Sequence, residues 1–393
     1  MQLSKDKKRL ICIVSSTRAD WGLLSPLARE LSRHDGCKVN VIATNMHLSP
    51  RFGMTVNDII ADGFEPVRVC MECNDDSPCA RVKAMSQCMK SIADAFERLS
   101  PDVVVILGDR YEMLAVASAA AVMRLPIVHI AGGAVSEGAF DDSIRHAITK
   151  LASIHLTETD EYRRRVIAMG EDPARVFNTG AIGVWNISNI DLLGRDELSR
   201  QLDFDLSRPY AVATFHPATL DSGDPATQCR AMLDALDRHD GLNIILTYPN
   251  NDPGSAAIID EIEAYAARRG DKVRLVRSLG LKKYLSALRY AEFSIGNSSS
   301  GIVEVASAGI PSIDIGIRQQ GRAAARSVIH CSADTDDIDR AIGKALSPAF
   351  RKIAALKENP YFKPDTLRLM TDVIANTDLS TLGPKHFYDL PTC

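Results

Sequence analysis

The feature that most constrains the fold is a repeated alternation of short apolar runs with helical stretches. In the first half the apolar runs are β-branched and nearly continuous, as expected of strands buried on both faces. Alternating strands and helices predict a parallel sheet with right-handed crossover connections. The predicted strands cover 9–17, 38–44, 103–109, 126–133 and 153–159, and the predicted helices cover 23–32, 81–99, 112–123 and 141–152.

The same alternation restarts after a turn-rich, polar stretch at 179–209. We therefore predict an α/β protein with two doubly wound domains, 1–185 and 205–364, followed by a segment at 365–393 that begins with a helix. Ligands of such sheets bind at the carboxyl ends of the strands. The loops after the strands are thus where functional residues are expected. The strands of the second half are predicted at 210–217, 243–249, 273–279, 292–297 and 311–316.

The charge balance argues against polyanionic partners. The 393 residues include 46 Lys and Arg against 50 Asp and Glu, a net charge of −4, and no basic stripe. Nucleic-acid and membrane partners are therefore not expected. No apolar run approaches the roughly 18 residues of a membrane span, and the N-terminus has no cleavage-site pattern, so we predict a cytoplasmic protein.

Four of the nine cysteines lie close together in the sequence, at Cys70, Cys73, Cys79 and Cys88. A structural zinc site usually needs two close pairs, or a pair with histidines, and neither is present. The sequence favours free thiols and no metal site.

Two loops of the first half end buried strands with charged residues. Arg18 lies where a helix begins, a position that suits a phosphate group, although pairing with Asp20 would also explain it. Asp109 ends the most apolar strand, where a carboxylate is costly unless it is paired or used. Pairing with Arg110 is the structural alternative, and we favour a functional use.

The densest polar cluster follows the fourth strand. Its glycines allow an irregular loop that brings Glu137 and Asp141 close to a ligand. On the helix that follows, a spacing of four places Asp141 beside Arg145 and Asp142 beside His146. Helix capping and simple salt bridges would account for the same pattern.

The strand-end loops of the second half offer groups that suit a nucleoside diphosphate. Ser298 and Ser299 precede a helix, where small residues let phosphate oxygens reach backbone N–H groups. Glu304 can accept two ribose hydroxyls, although a serine-capped helix with a capping glutamate is the alternative. The other candidates are His216, the loop residues Asn250 and Asn251, Arg318 and Arg322.

The motifs resemble one family when they are taken together and in order. They are TRADW, ILGDRYE, HIAGG, EGAFDDSIRHAITK, FHP, YPNNDPGS, GNSSSGIVEV and GIRQQGR. This combination is similar to the hydrolysing UDP-N-acetylglucosamine 2-epimerases of sialic acid biosynthesis. The resemblance implies the GT-B architecture, in which two Rossmann-like domains hold the active site in the cleft between them and a C-terminal helix returns to the first domain. It also implies a homodimer or homotetramer, and neither a metal nor a cofactor.

The resemblance further implies that UDP-GlcNAc loses its C2 proton and its UDP, and that water then converts the 2-acetamidoglucal to N-acetylmannosamine. Asp109, Asp141 and Arg145 match active-site positions of the family, and His216 matches a histidine that contacts the diphosphate and assists its departure. The positions that match UDP contacts are Arg18, Arg110, Asn250, Ser298, Ser299, Glu304 and Arg318.

One departure from the family pattern affects the catalytic assignment. Many relatives carry glutamates at the positions of Ala131 and Ala134. Glu137 is the only acidic residue left between Gly132 and Phe140. We therefore predict that Glu137 takes over a proton-transfer role.

Several related activities remain open at this point. The same chemistry on UDP-N,N'-diacetylbacillosamine, in the legionaminic acid pathway, is the main alternative. A non-hydrolysing 2-epimerase and a retaining GT-B glycosyltransferase are further alternatives, and a nucleotide-sugar sensor would bind without turnover.

Overall fold

The chain forms two compact units in the computed structural model, which describes residues 8–72, 77–250 and 252–390. Cys73 and Asn251 lie outside the described residues. The chain passes between the units four times, because each unit is assembled from separate segments. Unit 1 comprises Met1–Ala134, Asp141–Trp185 and Lys363–Cys393, and unit 2 comprises Val135–Phe140 and Asn186–Phe362.

Unit 1 is built on a seven-stranded parallel sheet with the order β3-β2-β1-β4-β5-β6-β7. The five runs predicted in this half are all strands. The two edge strands, β3 and β7, are three residues long and were not predicted. The strands are β1 (Arg9–Ser15), β2 (Cys37–Thr44), β3 (Val67–Val69), β4 (Val103–Leu107), β5 (Ile127–Ile130), β6 (Ile154–Thr157) and β7 (Val176–Asn178).

Helices cover both faces of this sheet. One face packs against α1, α2 and α16 in a single apolar core that includes Leu24, Val56 and Met370. The intervening strand residues, such as Val14 and Val104, are equally buried, as expected for a sheet covered on both sides. The helices are α1 (Arg18–Arg33), α2 (Val56–Ala61), α3 (Pro78–Leu99), α4 (Tyr111–Val122), α5 (Asp141–Leu151), α6 (Asp160–Ala168) and α16 (Thr366–Asn376).

Unit 2 contains a six-stranded parallel sheet with the order β10-β9-β8-β11-β12-β13. The five predicted strands are present, and the edge strand β13 is additional. Apolar cores lie on both faces, one around Phe293 and Ile258 and the other around Tyr210 and Leu288. The strands are β8 (Tyr210–Thr214), β9 (Asn243–Thr247), β10 (Val273–Val276), β11 (Phe293–Gly296), β12 (Ser312–Ile315) and β13 (Val328–Cys331).

The stretch at 179–209 differs from the turn-rich linker that its composition suggests. It contains two helices, α7 (Ile182–Asn189) and α8 (Arg195–Leu202). Leu198 and Leu202 of α8 are buried in a unit 2 core. Their packing stabilises a helix that the mostly polar sequence does not predict. The other helices are α9 (Pro225–Asp237), α10 (Ser255–Arg269), α11 (Gly280–Tyr290), α12 (Ser299–Val303), α13 (Val305–Ala308), α14 (Thr335–Leu346) and α15 (Pro348–Ala354).

Three further observations concern the described residues alone. None of their helices combines the length and the apolar character needed to span a membrane. Seven of the nine cysteines fall among them, and all seven are free thiols. No three side chains of the metal-binding types come together among them in a way that could hold an ion.

Candidate active site

Arg145 is the centre of a polar cluster in unit 1. Its side chain, on α5, is only 1% exposed and forms an ion pair with Asp109, which follows β4. The other guanidinium nitrogen, Nη1, donates to Asp142 Oδ1 at 3.1 Å and to the carbonyl oxygen of Ala134 at 2.9 Å. Burial alone would lower the pKa of Arg145, but the nearby carboxylates outweigh burial and raise it. Two predicted site residues, Asp109 and Arg145, are thus in direct contact.

The predicted pairings on α5 are found in part. His146 Nε2 lies 3.5 Å from Asp142 Oδ2, as the spacing of four suggests. Arg145 pairs with Asp142, three residues away, while Asp141 contributes to its electrostatic environment from the first turn of the helix. Asp141 is half-buried.

Arg110 pairs with Glu112, a partner that the sequence analysis did not suggest for it. Arg110 Nε donates to Glu112 Oε1 at 2.6 Å, and Asn45 Nδ2 donates to the same oxygen at 2.9 Å. Burial would raise the pKa of Glu112, but Arg110 and Asn45 outweigh burial and lower it. Sequence reasoning did not select Glu112; its one signal was an acidic residue in an otherwise apolar helix.

Arg18 also has a different partner from the one suggested by the sequence. Its Nε lies 3.4 Å from Asp58 Oδ2, at a partly exposed position. Asp20 belongs instead to a capping box at the start of α1, where it accepts the backbone N–H of Thr17 at 2.9 Å. The Arg18–Asp20 alternative is therefore wrong, because Asp20 is occupied by the helix terminus.

The turn after β5 depends on unusual backbone angles. Ala131 has φ +66° and Gly133 has φ +82°. A Cβ atom at Gly133 would lie 2.5 Å from the carbonyl oxygen of Tyr162, so only glycine fits there. The carbonyl of the next residue, Ala134, is the one that accepts from Arg145.

Glu137 lies in a segment that belongs to unit 2, whereas the sequence analysis placed it in the first domain. Its backbone N–H donates to Gln320 O at 3.3 Å. The preceding Ser136 Oγ accepts from Arg322 Nη2 at 2.9 Å, and Phe140 N–H donates to Thr219 Oγ1 at 3.1 Å. These hydrogen bonds to unit 2 explain why the segment belongs to that unit and not to unit 1. The side chain of Glu137 is exposed.

His216 is held by the neighbouring loops of unit 2. Asn297 fixes its backbone twice, accepting from His216 N–H at 2.7 Å and donating to His216 O at 2.8 Å. The backbone N–H of Asn250 donates to His216 Nδ1 at 3.0 Å. A neutral ring with Nδ1 as acceptor carries its hydrogen on Nε2. His216 can therefore donate a hydrogen bond from Nε2 to an anionic ligand.

Arg318 and Asn250 are tied to the same loops. Arg318 Nη1 donates to the carbonyl oxygen of Asn297 at 3.1 Å, and its Nη2 lies 3.9 Å from Asp252 Oδ2. Asn250 Nδ2 donates to that same carboxylate oxygen at 2.6 Å. The structure thus brings His216, Asn250 and Arg318 together. Asn297 and Asp252, which link them, were not selected from the sequence although both lie within the quoted motifs.

Glu304 makes no side-chain capping bond to either of the two short helices beside it. Ser298 precedes α12 without a side-chain capping bond, and Glu304 lies at the break between α12 and α13. The capping alternative is therefore wrong. Burial raises the pKa of Glu304, although a hydrogen bond with Ser300 and the charge of Arg322 act in the opposite direction. Ser299 is the first residue of α12.

Comparison with known proteins identifies the family. A family model described as UDP-N-acetylglucosamine 2-epimerase matches residues 29–375. The chain belongs to this family. The chain is similar to the GDP/UDP-N,N'-diacetylbacillosamine 2-epimerase (hydrolyzing) of Campylobacter jejuni, with 36% identity over 98% of this chain and 100% of the relative. It is also similar to polysialic acid biosynthesis protein P7 of Escherichia coli, with 34% identity over 98% of each chain.

The fold is that of solved members of the family. A crystal structure of UDP-GlcNAc 2-epimerase from Neisseria meningitidis bound to UDP-GlcNAc matches with a TM-score of 0.77, covering 93% of this chain and 99% of that one. The identity is 15%, so the match concerns the fold. The two parallel-sheet units are of the GT-B type, with Rossmann-like domains.

Proposed function

We propose that the protein is a hydrolysing 2-epimerase of a UDP-linked 2-acetamido sugar, and that UDP-GlcNAc is its substrate. The observation that carries the proposal is the buried Arg145 bound to Asp109 at the end of β4, in a chain of this family. The ion pair holds one carboxylate oxygen of Asp109 and leaves that side chain 25% exposed, which suits a group that must meet a substrate.

The reaction begins with an elimination. A carboxylate takes hydrogen from C2 of the sugar as a proton, the C–H electron pair forms the C1–C2 double bond, and UDP leaves C1 with the electrons of the C1–O bond. Asp109 and Asp141 are the carboxylates assigned to proton handling at the sugar, and Arg145 orients Asp109. Stabilisation of the departing charge by preorganised donors is commonly the largest catalytic contribution.

The nucleotide is assigned to unit 2. His216 donates from Nε2 to the diphosphate, Arg318 adds positive charge, and Glu304 accepts the ribose hydroxyls. Asn250, Ser298 and Ser299 complete this set, and Arg18 and Arg110 of unit 1 are retained as predicted UDP contacts. Their ion pairs with Asp58 and Glu112 mean that a nucleotide would have to compete for these guanidinium groups.

The second step removes the C1–C2 double bond of the intermediate by addition of water. The oxygen of water bonds to C1 of the 2-acetamidoglucal and one water proton passes to a carboxylate of unit 1, while C2 receives a proton on the opposite face, which gives free N-acetylmannosamine. Glu137 is the proposed source of that proton. No metal or cofactor takes part in this proposal.

A second substrate is favoured by one observation. The C. jejuni relative, at 36% identity over nearly the whole chain, is named for N,N'-diacetylbacillosamine. The E. coli relative is named for polysialic acid biosynthesis, which is compatible with N-acetylmannosamine as product. UDP-N,N'-diacetylbacillosamine is therefore the second candidate, with the same chemistry at C1 and C2.

The test is NMR of the reaction in deuterated water, run once with each UDP-sugar and without any acceptor. We expect free UDP and a free sugar that is epimerised and deuterated at C2. A product that retains the nucleotide would indicate a non-hydrolysing epimerase, and turnover only with an added acceptor would indicate a glycosyltransferase. The Asp109→Asn variant is the control, and it should be at least about 100-fold slower.

A further inference from the structure

The C-terminal tail of the chain binds the end of the helix that carries Arg145. Lys385 Nζ donates to the carbonyl oxygens of Lys150 and Ala152, both at 2.7 Å, and lies 3.4 Å from that of Thr149. These carbonyls belong to the last turn of α5 and the residue beyond it. The last carbonyl groups of a helix have no hydrogen-bond partner within the helix, and they form the negative end of the helix dipole. Here a lysine from a distant part of the chain donates hydrogen bonds to these carbonyl groups.

Glu171 fixes the lysine in place. Its carboxylate is 2% exposed and accepts from Lys385 Nζ at 2.7 Å, Lys150 Nζ at 2.5 Å and His155 Nε2 at 2.9 Å. Burial would raise the pKa of Glu171, but these hydrogen bonds outweigh burial and lower it to about 2. The tail, α5 and β6 are thus joined through one buried carboxylate.

Three further contacts hold the tail against the rest of unit 1. The ring of Phe387 lies against Gly170, where any Cβ atom would clash with it, and Lys150 Nζ is 4.9 Å from the centre of that ring. The backbone N–H of Tyr388 donates to Gly170 O at 2.9 Å. The tail is therefore docked over several residues and does not depend on Lys385 alone.

We propose that Lys385 is a positioning residue for the epimerase reaction. It anchors the C-terminal end of α5, and the helix connects that anchor to Arg145 near its middle and to Asp141 at its other end. An 11-residue helix spans about 16 Å, so a small tilt at one end displaces the side chains at the other. Misplacement of about 1 Å at a reacting group can cost up to 100-fold in rate. This inference rests on the proposed function.

The test compares Lys385→Met with Lys385→Arg in the full-length protein. We expect Lys385→Met to lower kcat about 3- to 10-fold. KM should change less than about twofold, because the residues assigned to the nucleotide lie mainly in unit 2. Lys385→Arg should restore most of kcat, since a guanidinium can bond the same carbonyls. Lys352→Met, at an exposed lysine of α15, should behave as the unmodified protein does.

Hydrogen exchange of the 141–152 segment provides a second readout. We expect Lys385→Met to accelerate exchange at the last turn of α5, and Lys385→Arg to restore protection. Unchanged kcat and unchanged exchange in Lys385→Met would overturn the proposal, as would equal losses in both variants. If the unmodified protein releases no UDP from either sugar, the proposed function fails, while exchange still decides whether Lys385 anchors the helix.

Discussion

Arg145 illustrates how a single buried charge organises the residues around it. Its guanidinium is nearly inaccessible, and it is tolerated because Asp109, Asp142 and the Ala134 carbonyl all accept from it. Removing one partner of a buried ion pair leaves a charge that is costly to keep in the interior. The same contacts restrict Arg145 to one orientation, as the proposed role of Arg145 in orienting Asp109 requires.

Glu137 is the residue whose assignment is most open to test. We expect Glu137→Gln to lower kcat about 100-fold or more, because the amide preserves the shape of the side chain but cannot exchange a proton. Release of UDP from the UDP-sugar measures the effect. Glu358→Gln, another exposed glutamate of unit 2, is the matched control. Turnover of the Glu137 variant within twofold of the unmodified rate would remove it from the mechanism.

Sequence reasoning located the polar residues at strand ends but not all of their partners. A spacing of four residues suggested Asp141 for Arg145, whereas Asp109 reaches it from a position 36 residues earlier. Arg110 and Glu112 were quoted in one motif, but Asn45, which follows β2 and donates to the same carboxylate oxygen of Glu112, was not selected. These contacts form because the order of strands in the sheet brings β2, β4 and α5 together. The spacing of residues within one motif cannot predict contacts between segments that are distant in sequence.

The segment at 135–140 packs closely against residues of unit 2 that are distant from it in sequence. Gly138 lies against the backbone of the loop after β12, so closely that a Cβ atom would be 2.8 Å from Ile317 O and from the Cα of Arg318. Its carbonyl oxygen accepts from Leu220 N–H at 3.1 Å. The segment therefore has little freedom to shift away from unit 2.

Replacing this glycine should loosen the segment. We expect Gly138→Ala to lower the free energy of unfolding by about 1–3 kcal/mol, because the added methyl group meets backbone and not a flexible side chain. Urea unfolding followed by far-UV circular dichroism measures the change. The control is Gly241→Ala, where nothing lies within 4 Å of the added carbon. Equal stability of the two variants would mean that the close packing at Gly138 is relieved at no cost.

At the scale of elements, the central strands were predictable, whereas three of the four edge strands were not. Runs such as 103–109 are apolar because both faces of the strand are covered, and that pattern is visible in the sequence. β3, β7 and β13 are edge strands with a single buried residue each, and polar or charged residues interrupt their apolar character, so they form no such run. The helix α8 was missed because its residues are mostly polar, and packing of Leu198 and Leu202 determines it.

The two units differ in their expected response to acid. Burial lowers the pKa of His47 to about 4 and that of His129 to about 3, and both residues belong to unit 1. In unit 2, a hydrogen bond with Asp314 raises the pKa of His330. The unfolded chain takes up protons at His47 and His129 below pH 6.5, while the folded chain does not. Unit 1 should therefore lose stability as the pH falls, and His330 acts in the opposite direction.

Both tryptophans, Trp21 and Trp185, lie in unit 1, so their fluorescence reports that unit alone. Between pH 7 and pH 5 we expect each buried histidine to remove about 2 kcal/mol from the free energy of unfolding. The urea midpoint measured by fluorescence should fall accordingly. His47→Gln should reduce this pH dependence, and His330→Gln should leave it unchanged. An equal midpoint at both pH values would contradict the assignment of His47 and His129 as neutral in the folded protein.

Neither unit is encoded by one uninterrupted stretch of the gene. A fragment cut after residue 185 would lack Met370 and Ile374, which complete the unit 1 core, and would carry 135–140 without the groups that they bond. Recombination at a single crossover point would damage both halves for the same reason. New sugar specificities in this family are therefore expected to arise by point substitutions in a chain that keeps both units intact. Exchange of N-terminal or C-terminal halves between genes is not expected to produce them.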